Sequence, residues 1–171
     1  MAHDETDLPG VDSGGTHFGL MLDVDDVSTS ASAGFVQLRA TGEELRHRRV
    51  DLVFAPHLWV EMTDEQASDI ARALCAGAAL CDRTADSPAR CPAWCRCHDD
   101  PEGWVHYGPK RVVEVSGELR SVEIQLCAFN CGHDRRLIIE FTVGHDEIVE
   151  FAPAAARRIA AHLMEAADLL G

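Results

Sequence analysis

The stretch Leu58-Trp-Val60-Glu-Met-Thr63-Asp-Glu-Gln66-Ala67-Ser-Asp-Ile70-Ala71-Arg-Ala-Leu74 changes its period in mid-course. Leu58 to Glu61 reads as a short strand. Thr63 supplies a capping hydroxyl, and Gln66, three residues on, completes a capping box. From there Ala67, Ile70, Ala71, Leu74, Ala78 and Cys81 recur at helical spacing, giving an amphipathic helix with one apolar stripe. The passage returns later in the chain. A shift of 89 residues lays Val60-Glu61 on Val149-Glu150, and Ala67, Ile70, Ala71 and Leu74 on Ala156, Ile159, Ala160 and Leu163. Pro153 stands where the first turn of a helix tolerates it.

Working outward, strands precede the helix in both halves. Phe18, Leu20, Leu22 and Val24 alternate on one face, a Ser/Ala/Thr-rich turn spans Val27 to Ala33, and Phe35 to Leu38 resumes as strand. Thr41 to Glu44 is hairpin chemistry, and Arg49 to Phe54 is the next strand. In the second half Val112–Val115, Val122–Ala128, Leu137–Val143 and Glu147–Phe151 take the same roles, and a shift of 88 lays Val36-Gln37-Leu38 on Ile124-Gln125-Leu126. A period this long is not a solenoid repeat. It fits two copies of a strand-strand-strand-strand-helix unit, an internal duplication. Each copy alone would leave a half-covered sheet, so the helices should bury their stripes against one shared sheet or against each other's. The expected fold class is α+β: an acidic disordered tail over 1–15, a first unit over 16–82, a zinc-binding linker over 83–109 and a second unit over 110–171.

The 171 residues carry 29 acids against 15 bases, a formal charge of −14. Seven of the acids, and no Lys or Arg, lie in residues 1–38. Such a chain repels phosphate backbones and anionic lipid at long range, which argues against dedicated nucleic-acid or membrane-surface binding. No charged start followed by an apolar run marks a secretory signal, and the most apolar stretch, Ala73 to Leu80, is too short for a membrane span. The expectation is a cytoplasmic protein. Fourteen Arg against one Lys, with abundant Ala, fits a GC-rich bacterial genome.

The linker holds Cys91-Pro-Ala-Trp-Cys95-Arg-Cys97-His98 and, after an Asp-Asp-Pro-Glu-Gly turn, Trp104-Val-His106. Without a secretion signal, clustered Cys beside His points to a metal rather than to disulfides. Zinc takes four N or S ligands in a tetrahedron, and Cys91, Cys95, His98 and His106 supply two of each. The expected cofactor is Zn²⁺ in a closed structural site, with Trp94 and Trp104 shielding it. Cys97 could replace His98, since neighbours rarely point at one ion. In small zinc modules metal binding contributes on the order of 10 kcal/mol, as much as a whole domain's folding free energy.

This segment resembles the Cys-Pro-x-Trp-Cys…His…His head of small actinobacterial proteins of unknown function. There the head is followed by strands and an Ala/Arg-rich helix, to which Pro153–Leu163 is similar. The resemblance covers Cys91 to Gly171 and implies a zinc-binding α+β module without implying a reaction. Cys97 and the N-terminal unit depart from that pattern.

Other residues are weighed beside this cluster. Cys127, Cys131 and His133 could form a second site with Cys81 or Cys97, but Asn130-Cys131-Gly132 is ordinary turn chemistry. Arg48-Arg49 and Arg135-Arg136 open the third strand of each unit, as an anion patch or as solvated edges. Arg157-Arg158 should lie on an exposed helix face. No nucleophile-elbow, phosphate-loop or dinucleotide motif occurs, nor His-Glu-x-x-His. His145-Asp-Glu147 matches only part of the zinc-deaminase pattern, and in the wrong order. The sequence therefore reads as a non-enzymatic, zinc-stabilised protein-interaction or accessory regulatory module. Its partner is an unidentified protein, and a monomer is favoured. The alternatives are a thiol-based metal or redox sensor that releases zinc on oxidation, and a small metallohydrolase.

Overall fold

The computed structural model describes residues 18–21, 27–29, 36–41, 49–54, 58–84, 91–98, 104–115, 121–131, 133–145 and 147–170. The expected tail over 1–15 lies outside them, as do His17, His47, His57 and Arg48. In chain order the elements are β1 (Phe18–Met21), β2 (Val27–Thr29), β3 (Val36–Thr41), β4 (Arg49–Phe54), β5 (Leu58–Met62), α1 (Asp64–Cys81), β6 (Cys97–His98), β7 (Val105–Glu114), β8 (Ser121–Cys131), β9 (Asp134–Val143), β10 (Glu147–Phe151) and α2 (Pro153–Leu170).

Alternation sets the sheets and helical spacing sets what covers them. Val50, Leu52 and Phe54 on β4 and Val60 and Met62 on β5 are buried. So are Ile139, Phe141 and Val143 on β9 and Val149 and Phe151 on β10, each 89 residues further on. Thr63 accepts from the Gln66 backbone N–H, and the Gln66 side chain accepts from the Thr63 N–H, closing the capping box. Ala67, Ile70, Ala71, Leu74 and Ala78 of α1 are buried, as are their counterparts Ala156, Ile159, Ala160, Leu163 and Ala167 of α2.

Two antiparallel sheets result, ordered β1-β3-β4-β5 and β2-β10-β9-β8-β7-β6. A meander leads into a helix in each, β3-β4-β5 into α1 in the first and β7-β8-β9-β10 into α2 in the second. The registers agree as well: Leu52 stands opposite Val60 and Leu38, and Phe141 opposite Val149 and Ile124. Leu38 thus matches Ile124 rather than Leu126, two residues from the ungapped match but on the same face. The helices pack on each other, and each lies chiefly on the other half's sheet, α1 on β8 and β7 and α2 on β3 and β4.

Three features depart from the sequence expectation. Val27–Thr29, read as turn, is a strand of the second sheet, where it pairs with β10. That pairing crosses the halves, which a local reading of Ser- and Thr-rich sequence has no means to detect. Second, β7 does not begin at Val112: it starts at Val105, inside the segment read as linker, and β6 pairs with it. Its ladder with β8 is irregular between Tyr107 and Lys110, where Pro109 has no N–H to give. Third, Arg157 lies on the exposed helix face as expected, but it also makes a tie between the helices that the sequence did not announce. Its guanidinium donates to the Ala78 carbonyl at 2.8 Å and to both Asp82 oxygens at 2.7 Å, tying α2 to the end of α1.

Where the halves meet, Phe54 stands against Phe141 and Phe151, with ring centroids 5.3 and 5.7 Å away. Phe141 and Phe151 are themselves 5.8 Å apart, near edge-to-face. Such pairs add about 0.5–1.5 kcal/mol each beyond the area they bury. One aromatic from the first sheet thereby completes a triangle with two from the second.

Candidate metal centre

The centre is assembled by a turn and a two-stranded pairing. Cys91 leads into Pro92, and the Cys95 N–H donates to the Pro92 carbonyl at 3.0 Å, folding Cys95 back beside Cys91. Arg96 N–H then donates to the Tyr107 carbonyl at 2.7 Å, laying β6 along β7. In that pairing Cys97 faces Tyr107 and His98 faces His106. Directly opposed residues share a face of the sheet and successive ones alternate, so His98 and His106 lie together while Cys97 projects to the other side. This is the physical reason His98, and not Cys97, joins the group.

Cys91, Cys95, His98 and His106 come together with their ligand atoms all within 4.8 Å of one another. Cys91 Sγ is 3.4 Å from His98 Nε2, and the two imidazoles meet edge to face with centroids 4.8 Å apart. Among the described residues this is the one group of three or more such side chains close enough to hold a metal ion. Cys127 is buried in β8, and Cys131 and His133 are exposed at the β8–β9 turn, so the second cluster considered from sequence does not form among the described residues.

The group is graded from surface to interior. Cys91 and His98 are exposed, Cys95 is half-buried and His106 is only 3% exposed. Asn130 Nδ2 lies 3.0 Å from His106 Nε2, and Arg135 Nε in turn donates to Asn130 Oδ1 at 3.0 Å. The other ring nitrogen of His106, Nδ1, is buried and makes no hydrogen bond to the described atoms. For the buried Nδ1 to ligate an ion, Nε2 must carry the proton and give it to an acceptor, which requires Asn130 to present its Oδ1 to the ring in place of its Nδ2. The Cys95 thiol is pushed above its ordinary pKa, first by burial and then by hydrogen bonding and charge from the neighbouring Cys91 sulfur. Two sulfurs so close resist ionising together, and a dication is what relieves that repulsion.

Trp94 anchors the turn to the fold. Its indole N–H donates to Thr84 Oγ1 at 2.6 Å, and that hydroxyl donates to the Leu80 carbonyl at the end of α1. The ring is buried over Gly108, where an added Cβ would lie 3.3 Å from the indole and 3.2 Å from the Leu126 carbonyl. Trp104 was expected to shield the site as well, but it is 50% exposed.

Two expectations follow. Gly108→Ala should press the indole and the Leu126 carbonyl back by a few tenths of an ångström and destabilise the protein by about 1 kcal/mol, as overpacking does. A urea titration of the variant measures this. Asn130 and Arg135 were not recognised as part of the site from sequence; the proximity of Asn130 to His106 exists only once β7 and β8 pair. Asn130→Ala should weaken metal affinity about 10- to 100-fold, as loss of an outer hydrogen bond to a ligating histidine does. Competition with a chromogenic chelator reads that change. Of the paired arginines, Arg135 holds Asn130 and Arg136 reaches Glu150 at 3.7 Å, which gives both structural contacts.

All seven cysteines are free thiols. No described helix is long and apolar enough to cross a membrane. The profile of a domain of unknown function, DUF6907, matches residues 79–171, from the end of α1 through α2, and includes all four clustered side chains; the chain belongs to this family. No curated protein and no solved structure matches it.

Proposed function

We propose that Cys91, Cys95, His98 and His106 bind one Zn²⁺ in a closed structural site, and that the chain is a non-enzymatic, zinc-stabilised module acting by binding another protein. The observation that carries this reading is the convergence of two sulfurs and two imidazoles within 4.8 Å. The donor set fits zinc: two soft thiolates and two imidazoles satisfy a tetrahedral ion with no preference of its own for geometry. Four protein ligands leave no open position for a substrate or an activated water, which favours scaffolding over catalysis.

The zinc loop joins two halves that we read as an internal duplication. The supporting observations are the matched meander-helix order, the shared registers and the buried positions spaced by 89. Zinc then fixes the loop between the end of α1, through Trp94 and Thr84, and the sheet of the second half, through His106. A reducing cytoplasm suits such a site, because it keeps Cys91 and Cys95 available as thiolates.

Metal analysis of protein purified without added zinc tests the reading, combined with alkylation of the native chain. Near one zinc per chain is expected. Cys75, Cys97 and Cys131, all exposed, should react at once. Cys91 should react only after chelation, although it too is exposed, and Cys95 with it. Cys81 should stay protected throughout, because burial pushes its thiol up to about 11. Absence of metal after gentle purification, or rapid labelling of Cys91 in the metal-loaded chain, contradicts the proposal.

A further inference from the structure

Among the described residues, the outer edge of β7 is paired only at its start. β6 covers His106 and Tyr107, and among the described residues no strand pairs with that edge from Lys110 to Glu114. An open strand edge exposes a row of backbone donors and acceptors and is a template for another strand unless something guards it. The five residues there are Lys110-Arg-Val112-Val-Glu114. Lys110, Val112 and Glu114 share the face of the sheet turned away from the helices, where Lys110 Nζ meets Glu123 Oε2 at 2.6 Å. Val112, at the centre, is 54% exposed, the most exposed large apolar side chain among the described residues. Glu114 is exposed, with no ion pair among the described residues.

This pattern is complementary to its own reverse. Turned antiparallel about Val112, a second strand of the same sequence places the partner subunit's Glu114 opposite Lys110 and the partner subunit's Lys110 opposite Glu114. Val112 meets its own copy, and Arg111 stands opposite Val113. No like charges are directly opposed at any of the five positions, and both ends carry an attractive pair. On the helix side, a groove of about 510 Å³ between this edge and Asp69, Arg72, Ala73 and Ala76 of α1 leaves room for the inward side chains of an added strand. Pro109, lacking an N–H, limits the pairing to the residues that follow it.

We propose that β7 is an interface for a second copy of this chain, which adds its own β7 antiparallel about Val112 and joins the two six-stranded sheets into one. A two-fold axis through Val112 makes the contact isologous and closed, so it ends at a dimer rather than extending into a filament. The geometry sets this against the monomer favoured from sequence. A contact of five residue pairs is small, so the dimer is weak and concentration-dependent, and its end pairs make it sensitive to salt.

Sedimentation velocity of the full chain over a wide concentration range at low salt tests this. A rise from monomer towards dimer is expected, with Glu114→Lys weakening it about tenfold by opposing lysines at both ends. Lys110→Glu places carboxylates there and should weaken it similarly. An equimolar mixture of these two variants matches opposite charges again and should recover the wild-type association as a heterodimer. Val112→Lys should abolish it. The three positions are exposed, and thermal melts monitored by circular dichroism verify that each variant is folded. A wild-type chain that stays monomeric throughout, variants that dimerise as wild type does, or a mixture that fails to associate overturns the proposal.

Discussion

His106→Ala is expected to lower metal content from one ion per chain to near zero and to reduce stability by about 4 kcal/mol or more, the range reached when a bound metal is lost. For a chain of this size that corresponds to a fall in melting temperature of roughly 10 °C. The effect has two parts. His106 is the most buried of the four clustered residues, so alanine leaves a cavity at the base of the centre. It also removes one of four ligands, and with it the tie between the Cys91–Cys95 turn and β7. Cys91→Ser separates the two parts, because Cys91 is exposed and its loss creates no buried void. It should therefore cost the metal and most of that fall in melting temperature, with the cavity contribution absent. Neither variant should unfold the chain outright. The helix pair and the Phe54–Phe141–Phe151 cluster belong to a core whose residues lie mostly outside the metal centre, although Trp94 is part of it and Cys95 packs against it. Calorimetry of each variant with and without chelator measures the difference. A chelator-independent melting temperature in the wild type would show that the cluster contributes nothing to the fold.

Phe54→Ala is the second large effect, expected at about 3–5 kcal/mol. Total stabilities of single domains run about 5–15 kcal/mol, so this is a substantial share. Phe54 is almost fully buried, belongs to β4, and touches two rings of the opposite sheet. Alanine there removes contacts between halves rather than within one. Phe54→Leu keeps much of the volume and should cost less than about 1.5 kcal/mol. Urea unfolding should remain a single transition in wild type and variants, because each helix lies chiefly on the other half's sheet. A Phe54→Ala cost below 1 kcal/mol, or two separated transitions, would mean that the halves fold as independent bodies.

Local signals were legible in the sequence. Thr63 and Gln66 announced the start of α1, Pro153 the start of α2, and alternation placed β4, β5 and β10 within a residue of their observed ends. The four side chains of the candidate centre were also legible, since their types and spacing fall in one short segment. Relationships made through space were not. Whether α1 lies on its own sheet or on the other half's depends on pairing energies between distant segments, and the transfer of β2 to the second sheet depends on β10. Cys97 shows the boundary well. The sequence favoured His98 and left Cys97 as its alternative, and the register of β6 on β7, which turns Cys97 to the opposite face, separates the two. Asn130 and Arg157 were missed for the same reason, as each acts on a residue at least 24 positions away.

The central claim is that these four side chains hold one zinc between the turn and the sheet. X-ray absorption at the zinc edge of the protein as purified tests it most directly. The account predicts a four-coordinate shell of two sulfurs at about 2.3 Å and two imidazole nitrogens at about 2.0 Å. Three sulfurs would put Cys97 in place of a histidine, an oxygen-bearing shell would mean an open site, and either result, like an absent edge, would contradict it.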